Sequence, residues 1–342
     1  MGSIRPLKNK LFSDEIAVRM KKRVIGIDIG GTYTKYGFVC ENGTLTHEGS
    51  ISSDKYPEIE DFLKELSAKT RRVIEKENFE LLGVGVGAPN GNYYTGRIEF
   101  APNLLWKGVI DLADLLNKYF SVPVKVTNDA NAAALGELIY GGGKGMKHFI
   151  MITLGTGLGS GFVVDGKVVY GHDGFAGELG HTVAVPEGRQ CACGKQGCLE
   201  TYVSASGIKR TMYKMIASEI EPSKLRNVSF NDLDAKMISE AAMQGDPLAI
   251  KAFDYTGKML GLKLADAVAH TSPEAIFLFG GLSCAGDLIF APTKKYMEHY
   301  LLPIYRNKIK LLPSSLQDKN IAVLGAGALI WNELNNGTRK LI

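Results

Sequence analysis

Long apolar runs and an excess of one charge are both missing from this 342-residue sequence. No apolar segment approaches the roughly 20 residues that span a bilayer, and residues 1–22 lack the apolar centre of a signal peptide. The 40 basic and 36 acidic residues leave a net charge of +4, too small and too dispersed to indicate a nucleic-acid partner. The sequence therefore predicts neither a membrane protein nor a nucleic-acid-binding protein.

Two common nucleotide-binding motifs are absent as well. Gly141-Gly142-Gly143-Lys144 lacks the spacing of a GxxxxGK[ST] loop and its following Ser or Thr. No GxGxxG run opens a helix after the first predicted strand, which disfavours a dinucleotide-binding unit. A phosphate site in this chain would have to use other glycine turns.

Cysteine is scarce, and three of the five cysteines lie in one short segment. That segment contains His181, Cys191, Cys193 and Cys198, with glycines that let the backbone turn around a small ion. Three thiolates and one imidazole, with no open position, are a ligand set of structural zinc. The alternative is a chance cluster of buried thiols. A disulfide fits worse, because one of three clustered cysteines would stay unpaired.

The other two cysteines, Cys40 and Cys284, are expected to be small buried side chains. Such cysteine usage, without a secretion signal, favours a reducing, cytoplasmic location. The composition, 45% hydrophobic and 22% charged, is typical of soluble globular proteins. The length suits two domains of roughly 100–200 residues each.

Glycines concentrate at the ends of apolar runs, and two of these places predict β-hairpins. Each consists of a buried strand, a glycine turn and a return strand. The first comprises Val24–Ile29, Gly30-Gly31-Thr32 and Lys35–Cys40; the second comprises Phe149–Leu154, Gly155–Gly161 and Phe162–Val164. The repetition predicts two similar halves that face each other, each offering backbone N–H groups and a threonine hydroxyl to phosphates. Gly280-Gly281, after another apolar run, fits either a plain turn or a nucleotide contact.

Strands alternate with helices along the rest of the chain, which predicts an α/β architecture. The further predicted elements are helix Lys55–Asn78, strand Leu82–Val86, strand Val122–Thr127, helix Ala130–Tyr140, a helix capped by Asp246 that runs towards His270, and strand Ala275–Phe279. Near the C-terminus, Ile321–Leu324 and the run Gly325–Ala328 lead into a closing helix through Leu334. Residues 218–232 are polar without a clear period, which predicts a surface excursion.

The segment Asn128-Asp129-Ala130-Asn131 is the candidate reaction centre, because a predicted strand ends there and a helix begins. Such a place can hold a carboxylate rigidly at a crevice. The plainer alternative is that Asn128 or Asp129 only caps the helix. Further side chains that suit a small molecule rich in hydroxyl groups are Asn103, Glu178, His181 and Glu200. A closed zinc site would fix Glu178 and Glu200, which flank the cysteine cluster.

These motifs, in this order, resemble the ROK family (repressors, open reading frames, kinases), and specifically its sugar kinases of the bacterial glucokinase type. The resemblance runs from Val24 to about Leu334. Its most specific part is Glu178-x-x-His181 followed by Cys191-x-Cys193-Gly194-x-x-Gly197-Cys198-x-Glu200. Supporting motifs are Asp28-x-Gly30-Gly31-Thr32, Asn128-Asp129-x-Asn131 and Leu154-Gly155-Thr156-Gly157-x-Gly159-Ser160-Gly161.

The resemblance implies an actin-like, hexokinase-type ATPase fold, in which two α/β domains around a central cleft close on ATP and a sugar. It divides the chain into an N-terminal lead-in (1–23), a small domain (24–127) and a larger domain (128–327). The small domain would be completed by the C-terminal helix (328–342), and the larger one would carry the zinc loop (177–200). The usual assembly implied is a homodimer.

The resemblance also implies roles for single residues. Asp129 would be the general base for the 6-hydroxyl of a hexose, with glucose favoured, and Asp28 is suited to orient Mg²⁺ or its waters. The expected sugar contacts are Asn103, Asn128, Asp129, Glu178, His181 and Glu200. The expected nucleotide contacts are Asp28, Gly30, Gly31, Thr32, Lys35, Gly155, Thr156, Gly157, Gly280 and Gly281. The expected zinc ligands are His181, Cys191, Cys193 and Cys198.

Two alternatives stay open at this point. N-acetylmannosamine or N-acetylglucosamine could present hydroxyls to the same side chains, because discrimination depends on the room around C2. The alternative of another class is a ROK regulator that senses a sugar without kinase activity. Such repressors carry a DNA-binding domain ahead of the sugar-binding fold. Only about 22 residues precede the first predicted strand here, against the roughly 50 or more of a small domain.

Overall fold

The computed structural model describes residues 20–339, so the lead-in (1–19) and residues 340–342 lie outside the described residues. The strands are β1 (Lys21–Ile29), β2 (Tyr33–Val39), β3 (Leu45–Ser52), β4 (Phe79–Ala88), β5 (Ile98–Glu99), β6 (Val109–Ile110), β7 (Val124–Asn128), β8 (Phe149–Leu154), β9 (Leu158–Val164), β10 (Lys167–Val168), β11 (Ala275–Phe279) and β12 (Lys310–Pro313). The α-helices are α1 (Ile59–Glu77), α2 (Leu112–Phe120), α3 (Asp129–Tyr140), α4 (Ala205–Ser218), α5 (Ala235–Met243), α6 (Pro247–Thr271), α7 (Asp287–Tyr300) and α8 (Ile321–Arg339).

Two five-stranded sheets with the same topology organise these elements. The strand order is β3-β2-β1-β4-β7 in the first sheet and β10-β9-β8-β11-β12 in the second. In each order the first two pairings are antiparallel and the last two are parallel. The prediction of two similar halves, which rests on two glycine hairpins, is confirmed.

The parallel strands of the first sheet bring two carboxylates to one edge. Asp28, near the end of β1, is in register with Gly87 of β4, and Ala88 of β4 is in register with Asn128 at the end of β7. Asp129 follows directly as the first residue of α3. Because the C-terminal ends of parallel strands share an edge, Asp28 and Asp129 face the same crevice.

The second sheet brings two glycine turns to its corresponding edge. Thr153, near the end of β8, is in register with Phe279 at the end of β11. The N–H of Leu282, after β11, donates to the carbonyl of Leu154 at 3.3 Å. A Cβ on Gly280, whose φ is +100°, would lie 2.5 Å from that same oxygen. The turns after β8 and β11 therefore pack on each other, and position 280 requires glycine.

Helices α3 and α8 approach each other and the sheets closely because both are rich in alanine and glycine. A Cβ on Gly325 of α8 would lie 1.6 Å from the carbonyl oxygen of Ala132 in α3. A Cβ on Gly161 of β9 would lie 2.7 Å from the Cβ of Ala134. These glycines are contact points between elements.

This packing accounts for two boundaries that the sequence prediction misplaces. Strand β9 begins at Leu158 instead of Phe162, since Gly159 and Gly161 belong to the strand that α3 covers. Helix α8 begins at Ile321, so the residues before the expected closing helix are already helical. In both places glycine permits close packing instead of marking a turn.

Three smaller predictions are wrong in part. Helix α1 begins at Ile59, four residues later than predicted, because Pro57 follows a short 3₁₀ turn and disfavours helix in the residue before it. Cys284 is exposed and Cys40 is only half-buried. The chain around residues 218–232 is irregular after α4 ends, as predicted. Leu225 within it is nevertheless buried in the core.

The C-terminal helix belongs with the first sheet. Helix α8 packs on β1 and β4 as well as on α3. A Cβ on Gly85 of β4 would lie 1.8 Å from the carbonyl oxygen of Ala326, which shows how close the backbones are. This contact is what completion of the small domain by the C-terminal helix requires, and the domain limits themselves stay a prediction. Over residues 20–339, no helix is long and apolar enough to cross a membrane.

Candidate active site

Asp28 and Asp129 form a pair of carboxylates at the edge of the first sheet. Burial raises the pKa of Asp28 to about 7; the charge of Asp129 adds to this rise, and the ammonium group of Lys35 opposes it. Burial also raises the pKa of Asp129, against the hydrogen bond from the N–H of Ala130. Carboxylates in one poorly solvated site repel each other, so this crevice favours a bound cation or a proton.

Asn128, and not Asp129, is the N-cap of α3. The backbone of Asn128 is extended, and its Oδ1 accepts the N–H of Ala130 at 2.8 Å. Oδ1 of Asp129 accepts the same N–H, also at 2.8 Å, from the first helical position. The capping interpretation therefore applies to Asn128, and the carboxylate of Asp129 is held in a fixed direction at the crevice.

Glu178, at the start of the cysteine-rich loop, belongs to the same electrostatic cluster. Desolvation raises its pKa, and its neighbours act in both directions: the charge of His181 lowers the pKa, and the charges of Asp129 and Glu200 raise it. The side chain is nevertheless exposed to the open cleft. Three predicted sugar contacts and the predicted base therefore lie close enough to influence one another.

Glu200, at the end of the same loop, is held by the second glycine turn. Its Oε2 accepts the N–H of Leu158, the first residue of β9, at 3.0 Å. A Cβ on Gly157 would lie 2.3 Å from that oxygen, so a larger residue at 157 would displace the carboxylate of Glu200. A predicted phosphate loop and a predicted sugar contact are thus in direct contact.

The cysteine-rich loop fits a zinc ion. The sulfur atoms of Cys193 and Cys198 are 3.6 Å apart, and the sulfur of Cys191 is 3.7 Å from Nδ1 of His181. All four ligand atoms lie within 4.8 Å of one another. Zinc–sulfur bonds of about 2.3 Å in a tetrahedron require sulfur atoms about 3.8 Å apart, which matches this spacing.

The first glycine turn adjoins the loop that carries Asn103. Asn103 is exposed between β5 and β6, and a Cβ on Gly31 would lie 2.3 Å from its backbone oxygen. The N–H of Gly30 donates to the carbonyl of Tyr33 at 3.1 Å, which closes the turn and leaves Thr32 exposed at its tip. A predicted sugar contact and a predicted phosphate loop therefore meet in the first half as well.

The second glycine turn rests on the start of α4. The carbonyl of Gly155 accepts the N–H of Ala205 at 2.9 Å, and the carbonyl of Thr156 accepts the hydroxyl of Ser206 at 3.1 Å. Gly155 and Thr156 are both exposed. The N–H of Gly155 donates to the carbonyl of Gly157 within the turn, so the N–H groups of Thr156 and Gly157 can face an anion in the cleft.

Two cavities share Gln317 as a lining residue. One of about 520 Å³ is lined by residues of both halves, among them Asp28, Lys35 and Phe279. The other, of about 580 Å³, is lined by Ser283, by residues at the start of α7 and by β12. Gln317 lines both: its Nε2 donates to the hydroxyl of Ser283 at 2.6 Å. Its buried Oε1 has no partner among the described residues.

Three residues of this site have no role in the sequence prediction. Ser160 contacts the backbone on both sides of Glu178. Asn131 is 2% exposed, and its buried Oδ1 has no partner within the described part of the chain. Ser160 and Asn131 both lie in motifs that carry the family resemblance, so the sequence could have marked them as site residues. Nothing in the sequence marks Gln317.

The ROK family profile matches residues 24–333 of the chain. A glucokinase of Halalkalibacterium halodurans is 36% identical over 323 residues, which cover 91% of this chain and 96% of that relative. Among solved structures, a ROK family glucokinase from Streptomyces griseus in complex with glucose and AMPPNP has a TM-score of 0.77 at 33% identity. The match covers 90% of this chain and 98% of that one. A ROK family transcriptional regulator, a homologue of the E. coli MLC protein, has a TM-score of 0.81 at 27% identity; coverage is 93% and 79%.

Proposed function

The chain belongs to the ROK family and has the actin-like, hexokinase-type ATPase fold of that family. We propose that it transfers the γ-phosphoryl group of ATP to the 6-hydroxyl of glucose. It is an ATP-dependent sugar kinase. The observation that carries the substrate proposal is one cleft in which Asp129 lies near Glu178 and Glu200, with glycine turns of both halves beside them.

In this proposal Asp129 accepts the proton of the 6-hydroxyl as the hydroxyl oxygen attacks the γ-phosphorus in line. Burial raises the pKa of this carboxyl, so it can take a proton near neutral pH more readily than an ordinary aspartate. Its place at the first position of α3, next to a separate cap, holds it in one direction. Most of the rate enhancement would come from positioning and charge stabilisation.

The sugar ring would be held by Asn103, Glu178, His181 and Glu200, with Asn128 beside the base. Carboxylates and amides accept and donate the directed hydrogen bonds that a ring with several hydroxyls needs. His181 suits two tasks: Nδ1 faces the cysteine sulfurs, and the N–H at Nε2 remains for a sugar hydroxyl. Asn103 lies on the first-sheet side, where its backbone oxygen adjoins Gly31.

The phosphates would be bound by the glycine turns, through Gly30, Gly31, Thr32 and Lys35 in the first half and Gly155, Thr156, Gly157, Gly280 and Gly281 in the second. Asp28 would hold Mg²⁺ or its waters, and the cation would offset the negative charge of the reacting phosphates. The donor set fits a hard cation, since Asp28 has a raised pKa beside a second carboxylate. Zinc at His181, Cys191, Cys193 and Cys198 would be structural, with no position for a reacting water.

A coupled assay of ADP release with ATP, Mg²⁺ and a sugar panel tests this function. We expect glucose to give the highest kcat/KM, ahead of mannose, N-acetylmannosamine and N-acetylglucosamine. A clear preference for an N-acetylated sugar would move the assignment to an N-acetylhexosamine kinase. ADP release that no sugar accelerates, together with sugar binding by calorimetry, would indicate a sugar sensor without kinase activity.

The calorimetric measurement is included because a ROK transcriptional regulator has the same fold. Asp129 and the glycine turns favour turnover in this chain. A homodimer and a cytoplasmic location complete the proposal. They rest on the family resemblance and on cysteine usage respectively, and analytical ultracentrifugation measures the first.

A further inference from the structure

Glu178 occupies the centre of a tight backbone turn. Its φ and ψ of −81° and 52° lie close to those of an inverse γ-turn. The N–H of Leu179 accordingly donates back to the carbonyl of Gly177 at 2.9 Å. The glutamate side chain itself makes no capping hydrogen bond to the short 3₁₀ helix that follows, Leu179–His181. The direction of the carboxylate therefore depends on what holds the two ends of this turn.

A single hydroxyl holds both ends. Ser160 Oγ donates to the carbonyl of Gly177 and accepts the N–H of Leu179 at 3.1 Å. We propose that Ser160 is a positioning residue that fixes Glu178 for sugar binding, an inference that rests on the proposed kinase function. Ser160 is 6% exposed, so its two hydrogen bonds are shielded from water.

The surroundings allow no easy substitute for this contact. Gly177 has a φ of +104°, and a Cβ there would lie 3.1 Å from the backbone oxygen of Ser160. The unpartnered Oδ1 of Asn131 lies 4.0 Å from the same Cβ position. The turn is thus pressed against β9 and α3, and only a small polar side chain at 160 reaches both peptide groups.

Strand β9 supports the second sugar carboxylate in the same way. The N–H of Leu158 donates to Glu200, and the hydroxyl of Ser160 holds the turn of Glu178, two residues further along the strand. Both supports follow directly after the glycine turn Gly155–Gly157. Loss of the Ser160 hydroxyl should therefore disturb the sugar side of the cleft while the phosphate side, fixed by α4, stays in place.

The first test compares Ser160→Thr with Ser160→Val, two variants of equal size that differ in the hydroxyl. We expect Ser160→Thr to stay within about threefold of the wild type in glucose KM. Removal of a buried hydrogen-bonding partner at Ser160→Val should raise glucose KM about 5- to 100-fold, with ATP KM changed less than about twofold. Equal KM values for the two variants, or parallel increases for glucose and ATP, would overturn the proposal.

The second test is a double-mutant cycle with Glu178→Gln. If Ser160 acts through Glu178, Ser160→Val should add less than about twofold to the glucose KM of the Glu178→Gln protein. Independent, multiplicative effects would contradict a positioning role. Ser67→Ala is the matched control, because Ser67 is also 6% exposed and hydrogen-bonded but lies on α1. Its glucose KM should equal that of the wild type.

The sugar assignment and the Ser160 assignment can fail separately. If the wild type prefers N-acetylmannosamine, the same variants are measured with that sugar, and the predicted split between sugar KM and ATP KM is unchanged. If the wild type turns over no sugar, glucose binding by calorimetry replaces KM, and equal affinities of Ser160→Thr and Ser160→Val would then refute the role of Ser160.

Discussion

The two sheets have one topology but carry different chemistry at equivalent positions. The second-last residue of β1 is Asp28, whereas the second-last residue of β8 is Thr153. The last parallel strand of the first sheet, β7, leads into Asp129 at the start of α3. The corresponding strand of the second sheet, β12, is followed by Ser314, and the first turn of the next helix, α8, has no acidic residue. At these equivalent positions the first half carries two carboxylates and the second half carries neutral side chains.

The difference shows how two copies of one topology can favour different ligands at their edges. An edge with unneutralised carboxylates attracts protons and cations, and it disfavours phosphate unless a cation is present. An edge of glycine turns offers N–H donors to an anion without adding negative charge. The cysteine-rich loop belongs to the second half in sequence, but its Glu178 lies close enough to Asp129 for the charge of Asp129 to raise its pKa.

Asp129→Asn should give the largest effect, since it removes the charge that distinguishes the first half. Loss of a general base typically lowers kcat by about 10²–10⁴-fold. Glucose binding should survive, and the fold should persist because Asn128 still caps α3. Steady-state kinetics and calorimetry measure these outcomes. Asp246→Asn, at the cap of α6, is the control and should keep wild-type kcat. A near-normal kcat in Asp129→Asn would place the base elsewhere.

Cys198→Ser should come next, because Cys198 is buried and belongs to the four-ligand cluster. We expect about one zinc per chain in the wild type and none in the variant. The freed loop should raise glucose KM by about tenfold or more. Metal analysis and kinetics test this, with Cys40→Ser as the control that retains zinc. A fully active, metal-free wild type would refute a structural zinc.

Gly157→Ala and Gly155→Ala separate the two functions of the second-half turn. The new Cβ at 157 would overlap Glu200, whereas at 155 it would meet open space. We expect Gly157→Ala to raise glucose KM about tenfold through the displaced carboxylate. Gly155→Ala should leave glucose KM unchanged, and any effect should appear in ATP KM. Similar glucose KM values for both variants would argue against contact between this turn and the sugar site.

In the ligand-free protein, Asp28→Asn should give the smallest of these effects, a gain in thermal stability that depends on pH. Burial raises the pKa of Asp28 from 3.8 to about 7, so above pH 7 the folded protein must hold this charge at a cost. The variant should therefore melt a few degrees higher at pH 8, without nucleotide or Mg²⁺. The gain should shrink as pH falls below 7, where Asp28 takes up a proton. A pH-independent difference would contradict this.

The sequence predicted well those features that local pattern determines. Strands β8 and β11 have the predicted bounds, because continuous apolar runs between glycines allow little else. Asp246 caps α6 as predicted. The four predicted zinc ligands are close in sequence, so their meeting in space requires only a short loop. The identity of Asn128 as the cap of α3 could not be separated from Asp129 by pattern alone.

Features that depend on packing between residues distant in sequence could not be predicted from the sequence. Glycines at 161 and 325 predict turns by local rules, but each fits against a helix that is remote in sequence. Ser160 and Gly177 meet across 17 residues through one hydroxyl, and no local rule anticipates that contact. Gln317 reaches two cavities only because β12 and α8 bring it beside the turn after β11.

The adjacent pair Asn128 and Asp129 also bears on how such a protein can change over evolutionary time. Since the amide already secures the helix, the neighbouring position has little structural duty and is open to substitution. In the proposed mechanism, replacement of Asp129 would silence turnover while the fold and the proposed sugar contacts persisted. A single substitution at position 129 would then turn this kinase into a protein that binds sugar without turnover, at little cost in folding.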